Sequence, residues 1–384
     1  MSDIILYSDN TYGTILTALA AADTTVTLTS GHGVRFPAVA SGQVLYATLL
    51  TSANVLEQIH ITAHTANSDT LTVTRGSNGT TAKTWAAGSR IECRVTSEHM
   101  TAIGAFTQAG TGATARNPQD KMRDVVCAED FGAAIGNSAA VNTPAIQAAL
   151  DYVATFPSGG SVYLPQLYPT NATLTVAARC GLYGAAKHGS GISYTPAVAG
   201  VALQLGAAGS SLYTGMMLRD MQVQLNTDNS TGIYIYAPSY GDFHNVTVES
   251  YTTDKGMTGW VLDGSDISGF GSLFSSCKTD HCKIGWHFTT TGSLGPTVQT
   301  FVNTHCIGDL EAGSIGFSFD ANCCEDSTFV GGNMENIETA INMPLQTRFV
   351  CFVGTRFEGC TTDVNLGATA KYNKFMGCTF RGAI

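Results

Sequence analysis

The chain has 384 residues, a formal net charge of −10 and a charged fraction of 12%, about half the ~25% of an average domain. With only 19 Lys plus Arg in that balance, it lacks the cations that neutralise a phosphate backbone, and nucleic acid is not expected as a partner. No apolar run approaches the ~18 residues that span a bilayer and no cationic, apolar leader opens the chain, so membrane insertion is not expected and assembly is placed in the cytoplasm of the producing cell.

Residues 1–104 read as a small β module. Short alternating runs, such as Val44–Leu50, Ile59 with Ile61, and Leu71 with Val73, are separated by turn signals including Ser77-Asn78-Gly79-Thr80, which suits a β-sandwich or barrel. Residues 105–124, rich in Gly, Ala and Thr up to about 120, read as a neck or linker. Residues 125–159 follow with Asp130-Phe131-Gly132-Ala133 and a helical stretch in which Thr143 is expected as the N-cap and Pro144 as the first helical residue. Ile146, Ala149, Leu150 and Val153 fall on one face of that helix. The string Gly159-Gly160-Ser161-Val162-Tyr163-Leu164-Pro165 then opens a strand.

Residues 160–384 carry an internal repeat. One column starts at Gly232, Gly259, Gly285, Gly316, Ala340 and Asp363, and a second is Leu218, Phe243, Phe274, Phe301, Phe329, Phe352 and Phe375. Both drift together at 23 to 31 residues per step. That is the length of one coil of three short strands with turns, and about nine coils at ~4.8 Å each are expected. In the first column the residues one and three places on are apolar in every copy, as a strand with one buried face requires.

The 11 cysteines are an odd number without a CxxC pair, so buried thiols are expected rather than a disulfide framework. Cys277-Lys278-Thr279-Asp280-His281-Cys282 and His305-Cys306 hold metal-ligating types. Strand alternation sends neighbours to opposite faces, so no metal and no cofactor are expected.

The ordered combination of Ala115–Arg123, "DFGA", a capping helix and "GGSVYLP" resembles the pectate-lyase-like right-handed parallel β-helix of bacteriophage tailspikes, and Thr72–Ala82 looks like modules of phage tail and head appendages. The acidic stretch common after "DFGA" in that family is absent from Ala134–Asn142. The resemblance implies an all-β fold, with a right-handed single-stranded parallel β-helix preceded by the N-terminal module. It implies a virion appendage, structural and host-contacting, that is anchored to other tail or neck proteins through residues 1–104. It also implies a homotrimer and contact with bacterial surface polysaccharide. The alternative is a depolymerase that cleaves capsular or lipopolysaccharide glycans.

Six residues beyond each second-column position stand Gln224, Glu249, Asp280, Ile307, Glu335, Glu358 and Arg381. Glu335 and Glu358 are therefore expected on neighbouring coils, as an acid and its partner if glycan hydrolysis takes place. The competing reading is a solvated ladder in which Glu358 pairs with Arg381. An outward column of Tyr234, Val261, His287, Ser318, Asn342 and Asn365 is expected to meet glycan or a second subunit, with Tyr234, His287, Asn342 and Asn365 as contact residues.

Overall fold

A computed structural model of the chain describes residues 4–383 except 10, 52–54, 97–105, 210 and 252–255. The chain divides into two compact units, Met1–Asp124 and Val125–Ile384. The boundary drawn between residues 104 and 105 lies outside the described residues.

The first unit is built on a seven-stranded sheet curled into half a barrel, in the order Tyr12–Thr14, Arg90–Glu92, Gln43–Leu50, Leu56–Ala63, Thr70–Ser77 and Thr25–Thr27, with Ile4–Leu6 parallel to Gln43–Leu50. It ends in a two-stranded ribbon, Phe106–Thr107 with Ala115–Arg116, and the helix Pro118–Met122. Val26, Leu49, Ile59, Ile61, Leu71, Trp85 and Ile91 fill the concave side of the sheet. A buried charge sits among them. Glu57 is fully covered and accepts from Arg75 Nε and Nη2 at 2.7 and 2.8 Å, from Trp85 Nε1 at 2.8 Å, and from the backbone N–H groups of Gly76 and Lys83 at 2.9 and 3.0 Å. The motif Thr72–Ala82 thus supplies the arginine, followed by the turn. Gly76 stands at φ +61°, where an added Cβ would lie 2.8 Å from the Ala82 nitrogen.

The second unit opens on the short strand Val126–Cys127, followed by a helix, Ala139–Ala154, with Ser138 as its N-cap residue and Pro144 inside it. The expected start at Thr143 is corrected. Asn142 turns back to bond the Ala134 backbone N–H and C=O, both at 3.0 Å, which holds the chain ahead of the helix in place. Pro144 omits only one helical hydrogen bond near that end. Thr143 is freed from capping and accepts from Asn171 N at 3.0 Å, while Gln147 brackets Thr175 through 2.8 and 3.1 Å bonds. These side chains partner backbone groups that the first coil would otherwise leave open. The expected apolar face, Ile146, Ala149, Leu150 and Val153, is buried over the core.

Apart from the strand Val126–Cys127 ahead of the helix, the parallel β-helix winds from the residues that follow Ala154. The first face stacks ten strands from Val126–Cys127 to Lys374–Met376, and a second face is joined to it within the same sheet. The third face stacks eight strands from Leu174–Val176 to Thr362–Leu366. Both repeat columns hold in register, with Phe243, Phe274, Phe301, Phe329, Phe352 and Phe375 as successive partners. Their rings stack at 4.3 to 5.2 Å. On the third face Trp260 pairs with Trp286, and Trp286 with Phe317.

The glycines of the first column have a steric cause. A Cβ on Gly259 would lie 2.4 Å from Thr279 Cγ2 and 2.6 Å from the Gly285 carbonyl of the next coil. Gly259→Ala is accordingly expected to cost about 1–3 kcal/mol by overpacking, measured by denaturant unfolding; a neutral result would mean that the coils are spaced more widely there.

Two ladders of left-handed residues turn the corners of the first face. One runs through Asp220, Asn245, Ser276, Asn303, Gly331, Gly354 and Gly377, and the other through Gly215, Tyr240, Gly271, Val298, Asp326, Phe349 and Tyr372. A non-glycine side chain there costs roughly 1–2 kcal/mol in backbone conformation. Asn and Asp tolerate the region best because their short polar groups bond locally. Asn245 Nδ2 duly donates to Asp220 Oδ1 at 2.6 Å.

Candidate functional site

The exterior of the second face carries the acidic column. Gln224, Glu249, Asp280, Ile307, Glu335 and Glu358 are successive register partners, so Glu335 and Glu358 do stand on neighbouring coils. Two residues ahead of each runs a column that includes Lys278, His305, Asn333 and Arg356. Glu358 is engaged by Arg356 and, at 3.5 Å, by Arg381, while Asn333 Nδ2 donates to Glu335 at 3.0 Å. This is the geometry of a half-exposed ion ladder, in which each pair contributes little, about 0–1 kcal/mol.

Higher on the same face lies a cluster that sequence reasoning did not assemble. His281 meets Asp280 through Nδ1 at 3.0 Å and Asp309 through Nε2 at 3.2 Å, and Lys278 pairs with Asp280 at 2.5 Å. Lys187 arrives from a distant turn and donates to the Ser276 carbonyl at 2.9 Å. Burial lowers the Lys187 pKa, and the Lys278 ammonium adds to that. Burial likewise lowers His305, with Lys187 and Lys278 contributing, which favours its neutral imidazole. The stepwise repeat puts Ile307 opposite Asp280, with Asp309 two residues further along; nothing in the sequence announces Lys187.

Alternation separates the metal-ligating types as expected. Cys277, Cys282 and Cys306 are buried, and burial pushes the thiols of Cys277 and Cys306 up to about 12, where they are poor ligands and nucleophiles. Lys278, Asp280, His281 and His305 lie on the exterior, as their ion pairs and exposure place them.

The outward column of the third face also holds register through Tyr234, Val261, His287, Ser318, Asn342 and Asn365. Its members differ in how free they are. Tyr234 donates to Asp263 Oδ2 at 2.7 Å, and burial followed by that carboxylate raises its phenol pKa. Asp263 is fully buried and also accepts from Ser265 N, Thr291 N and Thr291 Oγ1 at 2.7 to 2.9 Å, so Tyr234 serves a loop pin. His287 Nε2 lies 3.2 Å from Asp320 Oδ2, which Thr289 also reaches at 2.6 Å. The hydrogen bond from His287 lowers the Asp320 carboxyl despite partial burial. Asn365 Nδ2 donates to Asn342 Oδ1 at 2.8 Å, which leaves a short amide ladder facing outward.

The edge ahead of the first face is aromatic. Tyr240 meets Phe270 edge-on at 5.2 Å, and Phe349 and Tyr372 stack at 5.2 Å with an 8° interplanar angle. On the first face, Val302, Val330, Val353 and Met376 form an exterior apolar stripe in register.

No family model matches the chain. Over 207 residues, 50% of the chain, it is 27% identical to the tail spike protein of Shigella phage Sf6, of which it spans 30%. Among solved structures, ORF18 of Geobacillus virus E2 is similar at a TM-score of 0.47 with 16% identity, covering 72% of this chain and 66% of that one. A variant tailspike protein of E. coli bacteriophage HK620, solved in complex with a hexasaccharide, is similar at 0.38 with 13% identity, covering 72% and 69%. The parallel β-helix and the match to a phage tail spike bear out the expectation, raised by the motifs, of a tailspike-type protein.

Proposed function

We propose that the chain serves as a virion appendage of tailspike type, in which residues 1–104 dock on other tail or neck proteins and the β-helix contacts surface polysaccharide of the host bacterium. The observation that carries this reading is the tail spike match over half of the chain, joined to an unbroken parallel β-helix. Assembly as a homotrimer belongs to the same proposal, and the stripe of Val302, Val330, Val353 and Met376 supports it as apolar surface that a second copy would cover. Of the contact residues named from the sequence, His287 and Asn342 are half-buried and Asn365 is exposed, whereas Tyr234 is committed to Asp263.

Mass spectrometry of density-purified phage particles tests the assignment. The chain is expected among the virion proteins; its absence from infectious particles would overturn the reading. Polysaccharide cleavage is the second reading, with the carboxyls of Glu335 and Glu358 on adjacent coils as its support. Their engagement by Asn333, Arg356 and Arg381 favours the ladder instead. Shorter oligosaccharides released from host polysaccharide, and reduced about 100-fold or more by Glu335→Gln, would decide for cleavage.

A further inference from the structure

We infer that the last two coils of the edge ahead of the first face form a subsite for an acidic sugar, an inference that rests on the polysaccharide contact proposed above. The edge repeats one left-handed position per coil, held in turn by Gly215, Tyr240, Gly271, Val298, Asp326, Phe349 and Tyr372, and only the last two place aromatic rings there on adjacent coils. Phe349 and Tyr372 adopt the same conformation, at φ 59° and 61°, where glycine is at ease and a bulky residue is an outlier. Their side chains are 48% and 68% exposed. Like Tyr240 and Val298 on the same edge, they neither suit the backbone nor fill the core.

What the two rings do provide is exposed apolar surface. Stacked at 5.2 Å and 8°, they cover each other's inner faces and leave ring edges and an outer face against which the C–H groups of a pyranose can pack. Charge defines the rest. Arg348 and Lys371, the residues just before the two rings, are bridge partners on adjacent coils, and Lys374 follows Tyr372 by two residues. Arg348 is met by Glu325 at 3.5 Å, whereas Lys371 and Lys374 make no ion pair among the described residues. In a chain of net charge −10, two exposed, uncompensated ammonium groups beside an aromatic platform complement a sugar that carries a carboxylate or a phosphate. The coil before breaks the pattern with Asp326 at the ring position, which bounds the subsite on that side.

The test uses the full chain and surface polysaccharide purified from the bacterium on which the phage plates, in native form, after carboxyl reduction, and after removal of phosphate. Wild type is expected to bind the native polymer and to lose at least tenfold in affinity for one of the two treated forms, which identifies the oxyanion. The double variant Phe349→Gly with Tyr372→Gly is expected to bind at least tenfold more weakly while its melting temperature stays level or rises, because glycine suits both positions. Lys371→Gln with Lys374→Gln is expected to weaken binding to the native polymer alone. Binding that ignores both the treatments and the variants would overturn the subsite and leave the polysaccharide contact standing. No binding by wild type to any form would overturn the contact itself. If sedimentation shows that the glycine variant loses an oligomer present in wild type, the edge is a contact between copies and the sugar subsite falls.

Discussion

Trp286→Ala is expected to destabilise the β-helix by about 3–5 kcal/mol. Trp286 is fully buried, stacks on Trp260 at 4.7 Å and 4°, and meets Phe274 and Phe301 edge-on at 5.6 and 5.5 Å. Removing it opens a void where the third-face column faces the phenylalanine column, and coils fixed by backbone pairing on three faces cannot collapse into that void. The indole nitrogens of Trp260 and Trp286 find no oxygen acceptor. Trp286→Phe therefore forfeits area without breaking a strong hydrogen bond, and a cost well below that of the alanine variant is expected. Denaturant unfolding of both variants measures the difference; a change within about 0.5 kcal/mol for Trp286→Ala would mean that the ring is not in the core.

Glu57→Ala is expected to cost the first unit about 3–5 kcal/mol, because it leaves the Arg75 guanidinium, 5% exposed, without its carboxylate. Burial alone would raise the Glu57 pKa, but the donors from Arg75, Trp85, Lys83 and Gly76 together lower it from 4.5 to about 2. A carboxyl held lower in the folded than in the unfolded state stabilises the fold fully above its ordinary value. That contribution is lost as pH falls toward the folded one. Hydrogen exchange at the buried Ile59 and Ile61 strand should thus accelerate between pH 4.5 and about 2 in wild type, beyond the intrinsic pH trend, and change much less in Glu57→Gln. Equal pH dependence in the two proteins would contradict the buried pair.

Much of the β-helix was legible because its period is written in large side chains. A phenylalanine that recurs at 23 to 31 residues, with a glycine column drifting alongside, leaves few folds other than a coil whose neighbours pair in register. The left-handed corner has a local signature as well. Phe243-His244-Asn245, Phe301-Val302-Asn303 and Phe329-Val330-Gly331 each place Asn or Gly two residues after the ring, where the backbone turns with positive φ.

The helix start was misplaced because Thr143-Pro144 has the local chemistry of an N-terminus. Tertiary bonds from Asn142 to Ala134 and between Thr143 and Asn171 outweighed that preference. The surface was less legible than the core. Register put Glu335 opposite Glu358, but only the fold revealed Lys187 reaching Ser276, His281 between two aspartates, and Tyr234 spent on a buried Asp263. Those contacts join residues up to 89 positions apart through loops that have no repeat to follow.

The central claim is the register of the coils, since every surface assignment depends on which side chains stack. X-ray diffraction from crystals of the full chain tests it directly. The account predicts one continuous stack of Phe243, Phe274, Phe301, Phe329, Phe352 and Phe375 inside the helix, with Phe349 and Tyr372 paired outside it. A density map in which any coil from Phe243 onward is displaced by one residue would send its core side chains to solvent and contradict the account.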